Sequence, residues 1–183
     1  MTDLSLFHLF NGFAFRSFAL DAFILFSAVF LGYWMVLGVF ALAAATFLSR
    51  YSHIRKKNIE IAVVSLASAL IARFGITELI RFFYSRQRPF ETLAGVHQLL
   101  FREGGGSFPS GHAAFSFALA AVIAFYYPRV GILFFVSAIF ISIARVSAGV
   151  HLPSDVLGGA VIGIGTGFLI YAISKKFMRS RGG

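Results

Sequence analysis

Apolar residues run along this chain in long stretches separated by short polar breaks. Four stretches stand out and a fifth emerges on closer reading: 20–48, 59–84, 111–127, 130–148 and 154–174. Each approaches the ~20 residues with which a helix crosses ~30 Å of hydrocarbon. The third and fourth are short for that purpose and are joined only by Tyr127-Pro128-Arg129, which predicts a helical hairpin. All four prolines, Pro89, Pro109, Pro128 and Pro153, fall between stretches or at the start of one, where a helix tolerates the missing N–H. The first 19 residues differ: Leu4, Phe7, Phe10 and Phe13 are mixed with Asp3, His8, Asn11 and Arg16, which predicts an interfacial or re-entrant helix. No basic run or small-residue cleavage site marks a secretory leader there. The pattern predicts an all-α protein. It is an integral membrane helical bundle with about five transmembrane helices plus an N-terminal interfacial helix, six helices in total, in one domain over 1–183.

Composition sharpens this. Apolar residues make up 58% of the 183 residues and charged residues 13%, with a mean hydropathy of +0.85. A soluble domain of this size has no means of hiding so much apolar surface, which excludes a soluble enzyme, a disordered chain and a nucleic-acid-binding module. No nucleic acid partner is expected. The 24 phenylalanines suit lipid-facing helices. Cysteine is absent, so disulfides, zinc–thiolate sites and thiol nucleophiles are excluded.

The net charge of +9 is unevenly spread. The 49–58 loop carries Arg50, Arg55, Lys56 and Lys57 without an acid in 49–58, and the tail carries Lys175, Lys176, Arg179 and Arg181. Both read as cytoplasmic. Five crossings then put the N-terminus, the 85–110 loop and the 149–153 turn on the outer side of the cell (inner) membrane. Arg81, Arg86, Arg88 and Arg102 fall on that outer side against the bias, and cations that defy topology invite a functional explanation.

Three clusters meet at the outer face: Arg81-(six residues)-Arg88-Pro89, Ser107-Phe108-Pro109-Ser110-Gly111-His112, and Arg145-(five residues)-His151-(three residues)-Asp155. Guanidinium forks offer paired planar donors to phosphate oxygens and stay charged; interfacial arginines also simply contact lipid headgroups. Ser110 reads as a helix N-cap. Gly111 lets an anion approach the backbone, where free N–H groups and the helix dipole favour it, with His112 in the first turn. The bland alternative is an ordinary cap beside a surface histidine. Gly149 is suited to ending one helix and Pro153 to starting the next, which holds His151 in a tight turn with Asp155 in reach. A carboxylate fixes an imidazole's tautomer and orientation, and an oriented imidazole is a nucleophile. Two histidines, one carboxylate, several arginines and a helix N-terminus together offer a nucleophile, a proton donor and charge stabilisation for phosphoryl transfer without a metal or other cofactor.

With these motifs in this order, the sequence resembles the type 2 phosphatidic acid phosphatase (PAP2) superfamily of membrane lipid phosphatases, which also includes vanadium haloperoxidases. The likeness spans 81–155, most of the catalytic core. Two departures are visible: Arg81 stands where the family often has Lys, and Ala144 where it usually has Ser. The resemblance implies that His151 attacks phosphorus to form a phosphohistidine and that Asp155 orients it. His112 then protonates the leaving oxygen. Arg81, Arg88, Arg145, Ser110 and the Gly111 N–H hold the phosphoryl oxygens, with no metal ligand. Within the superfamily the compact chain is most like short bacterial undecaprenyl-diphosphate phosphatases of the bacitracin-resistance type. An anionic lipid phosphate is then the substrate and membrane lipids the surroundings, with oligomeric state left open. Alternatives are a phosphatidylglycerol phosphate or phosphatidic acid phosphatase, a lipid phosphotransferase, or a non-catalytic anionic-lipid binder or transporter.

Other residues invite plainer readings. Gly159, Gly163 and Gly167 suggest close helix packing within the chain. Gly104-Gly105-Gly106 suggests a lid hinge or a linker. Glu78 is one turn from Arg81 and suited to pairing with it. Arg73, about 12 Å deeper than Arg81, either lines a substrate path or pairs internally. His8, His53 and His97 read as surface residues.

Overall fold

The computed structural model describes residues 2–47, 53–101 and 104–181, with side chains to Phe177. Arg50 and Arg102, and the side chains of Arg179 and Arg181, lie outside the described residues. Seven helical elements follow in order: α1 (Asp3–Asn11), α2 (Phe18–Phe47), α3 (Arg55–Phe83), the single turn α4 (Pro89–Thr92), α5 (Gly111–Tyr126), α6 (Pro128–Ser147) and α7 (Pro153–Arg181). No strand occurs among the described residues. The five expected spans are all present as helices. The last runs on to Arg181, past the end of its apolar stretch.

Helices α2, α3, α6 and α7 are long and apolar enough to cross a membrane. Helix α5 has 16 residues, about 24 Å by helical rise. It is short because it is the hub rather than a lipid-facing wall. It packs against α3, α6 and α7, and Ala113, Ala114, Ala118, Leu119, Ala120, Ala121, Val122 and Ile123 are buried around its circumference. Its small residues let α7 approach closely. A Cβ at Gly163 would lie 2.9 Å from Ala118 N, and one at Gly167 would lie 3.0 Å from Ala121 Cβ. The glycine row therefore packs within the chain, as expected. Such contact replaces the hydrophobic drive that lipid does not supply.

Both α2 and α3 contain a π-helical turn, at Phe26–Phe30 and Ile71–Ile76. Helix α1 reaches only about 14 Å and does not span. It starts on a Thr2 cap, whose hydroxyl accepts from Ser5 N, and it docks on the α6–α7 turn. Phe7 is buried with Val146, Leu152 and Val156. Asn11 donates to His97 O (2.7 Å) and Ser147 O (2.9 Å) and accepts from His97 N (2.9 Å). The imidazoles of His8, His53 and His97 belong to exposed residues, as expected.

Candidate active site

The turn from α6 to α7 sets the geometry. Gly149 has φ +80°, a conformation that suits glycine, and a Cβ there would lie 2.6 Å from His97 O. This bend brings His151 between Arg145, in the last turn of α6, and Asp155, in the first turn of α7. All three are buried.

The Asp155 carboxylate is held from several sides. Oδ2 accepts from Leu152 N at 2.7 Å and from the Ser107 hydroxyl, and Oδ1 accepts from Arg86 Nη1 at 3.0 Å. His151 Nδ1 lies 3.6 Å from Asp155 Oδ2 and 3.5 Å from Ser107 Oγ. The expected His151–Asp155 pair is therefore present at ion-pair range, with Ser107 touching both members. Burial pushes the His151 imidazole down to about 4, its hydrogen bonding to the Asp155 carboxylate opposes that, and the charges of Arg145 and Arg88 add to it. The ring is neutral at pH 7, the form with a lone pair to offer.

The three sequence clusters are tied to one another through backbone carbonyls. Arg81 Nε and Nη2 donate to Pro109 O at 3.3 and 3.0 Å. Arg88, only 2% exposed, donates to Gly105 O, Val150 O and Gly104 O at 3.2, 3.0 and 3.0 Å. Ser110 N donates to Asp155 O at 2.9 Å. The Gly104–Gly106 turn, expected as a hinge or linker, is thus held by an arginine at two carbonyls. Arg81 and Arg88 work as clasps of the loop as well as cations.

Ser110 occupies the N-cap position of α5, but its hydroxyl accepts no bond from the first turn. The expected N-cap position is thus occupied by Ser110, while its Oγ is buried without a hydrogen-bond partner, at a cost of about 1–3 kcal/mol. A buried orphan hydroxyl beside a helix N-terminus is a feature a ligand would satisfy. At Gly111, a Cβ would collide with the Arg73 guanidinium, so glycine here also makes room for an arginine. His112 follows in the first turn and lines a cavity shared with Arg73. Glu78 accepts from both Arg81 Nη1 (3.2 Å) and Arg73 Nη1. Ala144 sits in an apolar cluster with Ile24, Ala28 and Val150.

Sequence reasoning missed two supports. Ser107 was only a member of its cluster, yet it bridges His151 and Asp155. Arg86 stood out only as a misplaced cation; it joins Asp155 to Asp3, whose carboxylate accepts from Ser154 N (2.9 Å) and Ser154 Oγ (2.6 Å) at the start of α7. The signal for Arg86 was its charge on the outer side. No local pattern marks Asp3, 151 positions from its partner. Among the described residues, no group of three His, Cys, Asp or Glu side chains converges as a metal-binding set.

The chain is similar to known proteins in sequence and in fold. The chain is 28% identical over 120 residues to the bacitracin transport permease protein BcrC of Bacillus licheniformis, covering 66% of this chain and 59% of that protein. It is 33% identical over 104 residues to the undecaprenyl-diphosphatase BcrC of Bacillus subtilis, covering 57% and 53%. The matched part thus spans little more than half the length of these relatives. The crystal structure of Aquifex aeolicus LpxE superposes with a TM-score of 0.72 at 32% identity, covering 91% of this chain and 93% of that one. The sequence profile of the PAP2 superfamily matches residues 62–179, which contain all eight residues of the candidate site, and this integral membrane helical bundle belongs to that superfamily.

Proposed function

We propose that the chain is a lipid phosphatase that removes the terminal phosphate of undecaprenyl diphosphate. The observation that carries this reading is a buried, neutral His151 held beside Asp155 and Ser107, in a site whose Ser110 hydroxyl lacks a partner. The names of the Bacillus subtilis relative and of other undecaprenyl-diphosphatases support the substrate.

In this mechanism His151 attacks the terminal phosphorus. The bridging P–O bond breaks, and its electron pair stays on the lipid monophosphate, whose oxygen takes a proton from His112. Water then cleaves the phosphohistidine, giving up a proton to His112 and releasing inorganic phosphate. Asp155 and Ser107 fix the imidazole; Arg81, Arg88 and Arg145 supply positive charge around the transferring group, and the Gly111 N–H and the Ser110 hydroxyl supply neutral hydrogen-bond donors. No step needs a metal. The loop charges place the site on the outer side of the cell membrane in this reading, consistent with carrier-lipid recycling for cell-wall synthesis.

The test is phosphate release by purified protein in detergent without added metal. Undecaprenyl diphosphate, phosphatidylglycerol phosphate and phosphatidic acid are offered side by side, with His151→Ala as control. Preference for the diphosphate, loss in the variant, insensitivity to EDTA and inhibition by vanadate are expected. Release that persists in His151→Ala would remove the nucleophile. Lipid binding with no turnover in the parent would favour the binder or transporter.

A further inference from the structure

Arg73 has no part in the mechanism above, yet it stands at the edge of the site. It lies in the π-helical turn of α3, its guanidinium against the first residue of α5 where a Gly111 Cβ would otherwise be. One nitrogen donates to Glu78, which also accepts from Arg81. Its side chain is 25% exposed, so the charge is only partly withdrawn from its surroundings.

Arg73 and His112 line the same cavity, of about 360 Å³, between α2, α3, α5 and α6. The rest of that lining is largely apolar: Val29, Val36, Phe74 and Ile141 contribute to it. Both π turns form part of the wall, and such turns are frequent at functional sites. The cavity therefore offers hydrocarbon a path that begins beside the proton donor of the leaving oxygen.

This order of groups fixes what lies where. In-line displacement puts the leaving oxygen on the side of phosphorus opposite His151, next to His112. The hydrocarbon continues into the apolar cavity. In a diphosphate lipid, the group between the leaving oxygen and the hydrocarbon is the retained phosphate. The cation at that point of the cavity is Arg73.

We propose that Arg73 is the specificity-determining residue for a diphosphate, its guanidinium binding the phosphate that stays on the lipid, with Glu78 positioning it beside Arg81. This rests on the phosphatase reading above. A lipid monophosphate would put uncharged chain beside Arg73 and leave the donors that Glu78 does not take without a phosphate to bind, which disfavours it. Arg73 thus acts through selectivity between one phosphate and two, not through the chemical step.

The experiment compares farnesyl diphosphate with farnesyl monophosphate, which share one hydrocarbon chain, using the full-length protein in detergent. The readout is the ratio of kcat/KM for the two. Arg73→Gln is expected to lower that ratio by about tenfold or more, the scale of a lost charge-assisted hydrogen bond. Arg73→Lys, which keeps the charge without the planar fork, is expected to fall in between. An unchanged ratio overturns the proposal, whether both substrates decline together or neither does. If Arg73→Gln does not purify as a folded protein, Arg73→Lys decides by the same ratio. In a His151→Ala background the ratio is read as Kd for the two ligands, which judges Arg73 without turnover. The phosphatase reading fails separately, by absence of phosphate release from both substrates in the parent.

Discussion

At the end of the bundle where α6 turns into α7, Arg88, Arg145, His151 and Asp155 are each 2% exposed or less. At the other end, Lys175 and Glu60 are 39% and 19% exposed. Glu60 there accepts from Tyr126 and from Lys175 Nζ at 2.9 Å, and the Lys175 ammonium lies 4.5 Å from the Tyr126 ring centre. Lys57 lies 4.2 Å from the Tyr127 ring centre, and the Tyr127 hydroxyl donates to Asn58 at 2.7 Å. These amphipathic side chains keep a polar tip near water, the arrangement found at membrane interfaces. Burying charge costs several kcal/mol per ion unless it is paired and hydrogen-bonded. One end avoids that cost, and the other offsets it with the arginine–carbonyl bonds of Arg88 and the bonds to the Asp155 carboxylate. Burial of charge separates a site built for chemistry from an end built to sit at an interface.

The largest break of this contrast is His151→Ala. It removes the proposed nucleophile, and phosphate release is expected to fall by about 10⁴-fold or more, as when other covalent nucleophiles are deleted. Asp155→Asn comes next, at about 10³-fold, because the amide fixes the imidazole poorly and leaves Arg86 with a weaker partner. Circular dichroism and elution volume in detergent separate lost chemistry from lost fold. A loss confined to catalysis at His151 with intact elution supports the reading; undiminished release in either variant contradicts it.

A third test uses acidity. His151 binds a proton only near pH 4 in the folded chain, against about 6.5 when unfolded. Between those values the unfolded state holds more protons, so stability rises with pH across the window. The contribution is fully present above about pH 6.5 and is lost as pH falls through 4, amounting to about 3 kcal/mol. His151→Gln is expected to show a smaller fall in melting temperature between pH 7 and pH 4.5 than the parent. Equal falls would mean that the ring is not held neutral by burial. Ser107→Ala follows at about tenfold in turnover, since it removes one of two contacts to Nδ1 while Asp155 keeps its bond from Leu152 N.

The sequence carried the bundle and the site unequally. Apolar stretches and proline positions placed the five long helices because in lipid a backbone must satisfy itself. The eight site residues stood in three short motifs, and the fold brings these together with bonds from Arg81, Arg88 and Ser110 to distant carbonyls. Those carbonyl partners were illegible, because every residue has one. Asp3 and Asn11 were illegible for a related reason: their partners lie 151, 86 and 136 positions away. Residue type placed Ser110 at the N-cap of α5, where the structure has it, but the partner of its hydroxyl was illegible, because the orientation of one hydroxyl is decided by tertiary packing.

The smallest effect is expected at the interfacial end. Glu60→Gln keeps size and hydrogen-bonding capacity but removes the charge that Lys175 meets at 2.9 Å. Both partners reach solvent, so the pair is screened, and exposed pairs contribute about 0–1 kcal/mol. The melting temperature in detergent should drop by no more than a few degrees, and turnover should be unchanged. Glu60 lies near the start of α3, five helical turns or more from Arg81 by rise. High salt should shrink the difference between Glu60→Gln and parent, whereas it should not restore Asp155→Asn, whose carboxylate is inaccessible to solvent ions. If Glu60→Gln instead reduced turnover as Asp155→Asn does, the two ends would be coupled through α3, and the division between a chemical end and an anchoring end would be lost.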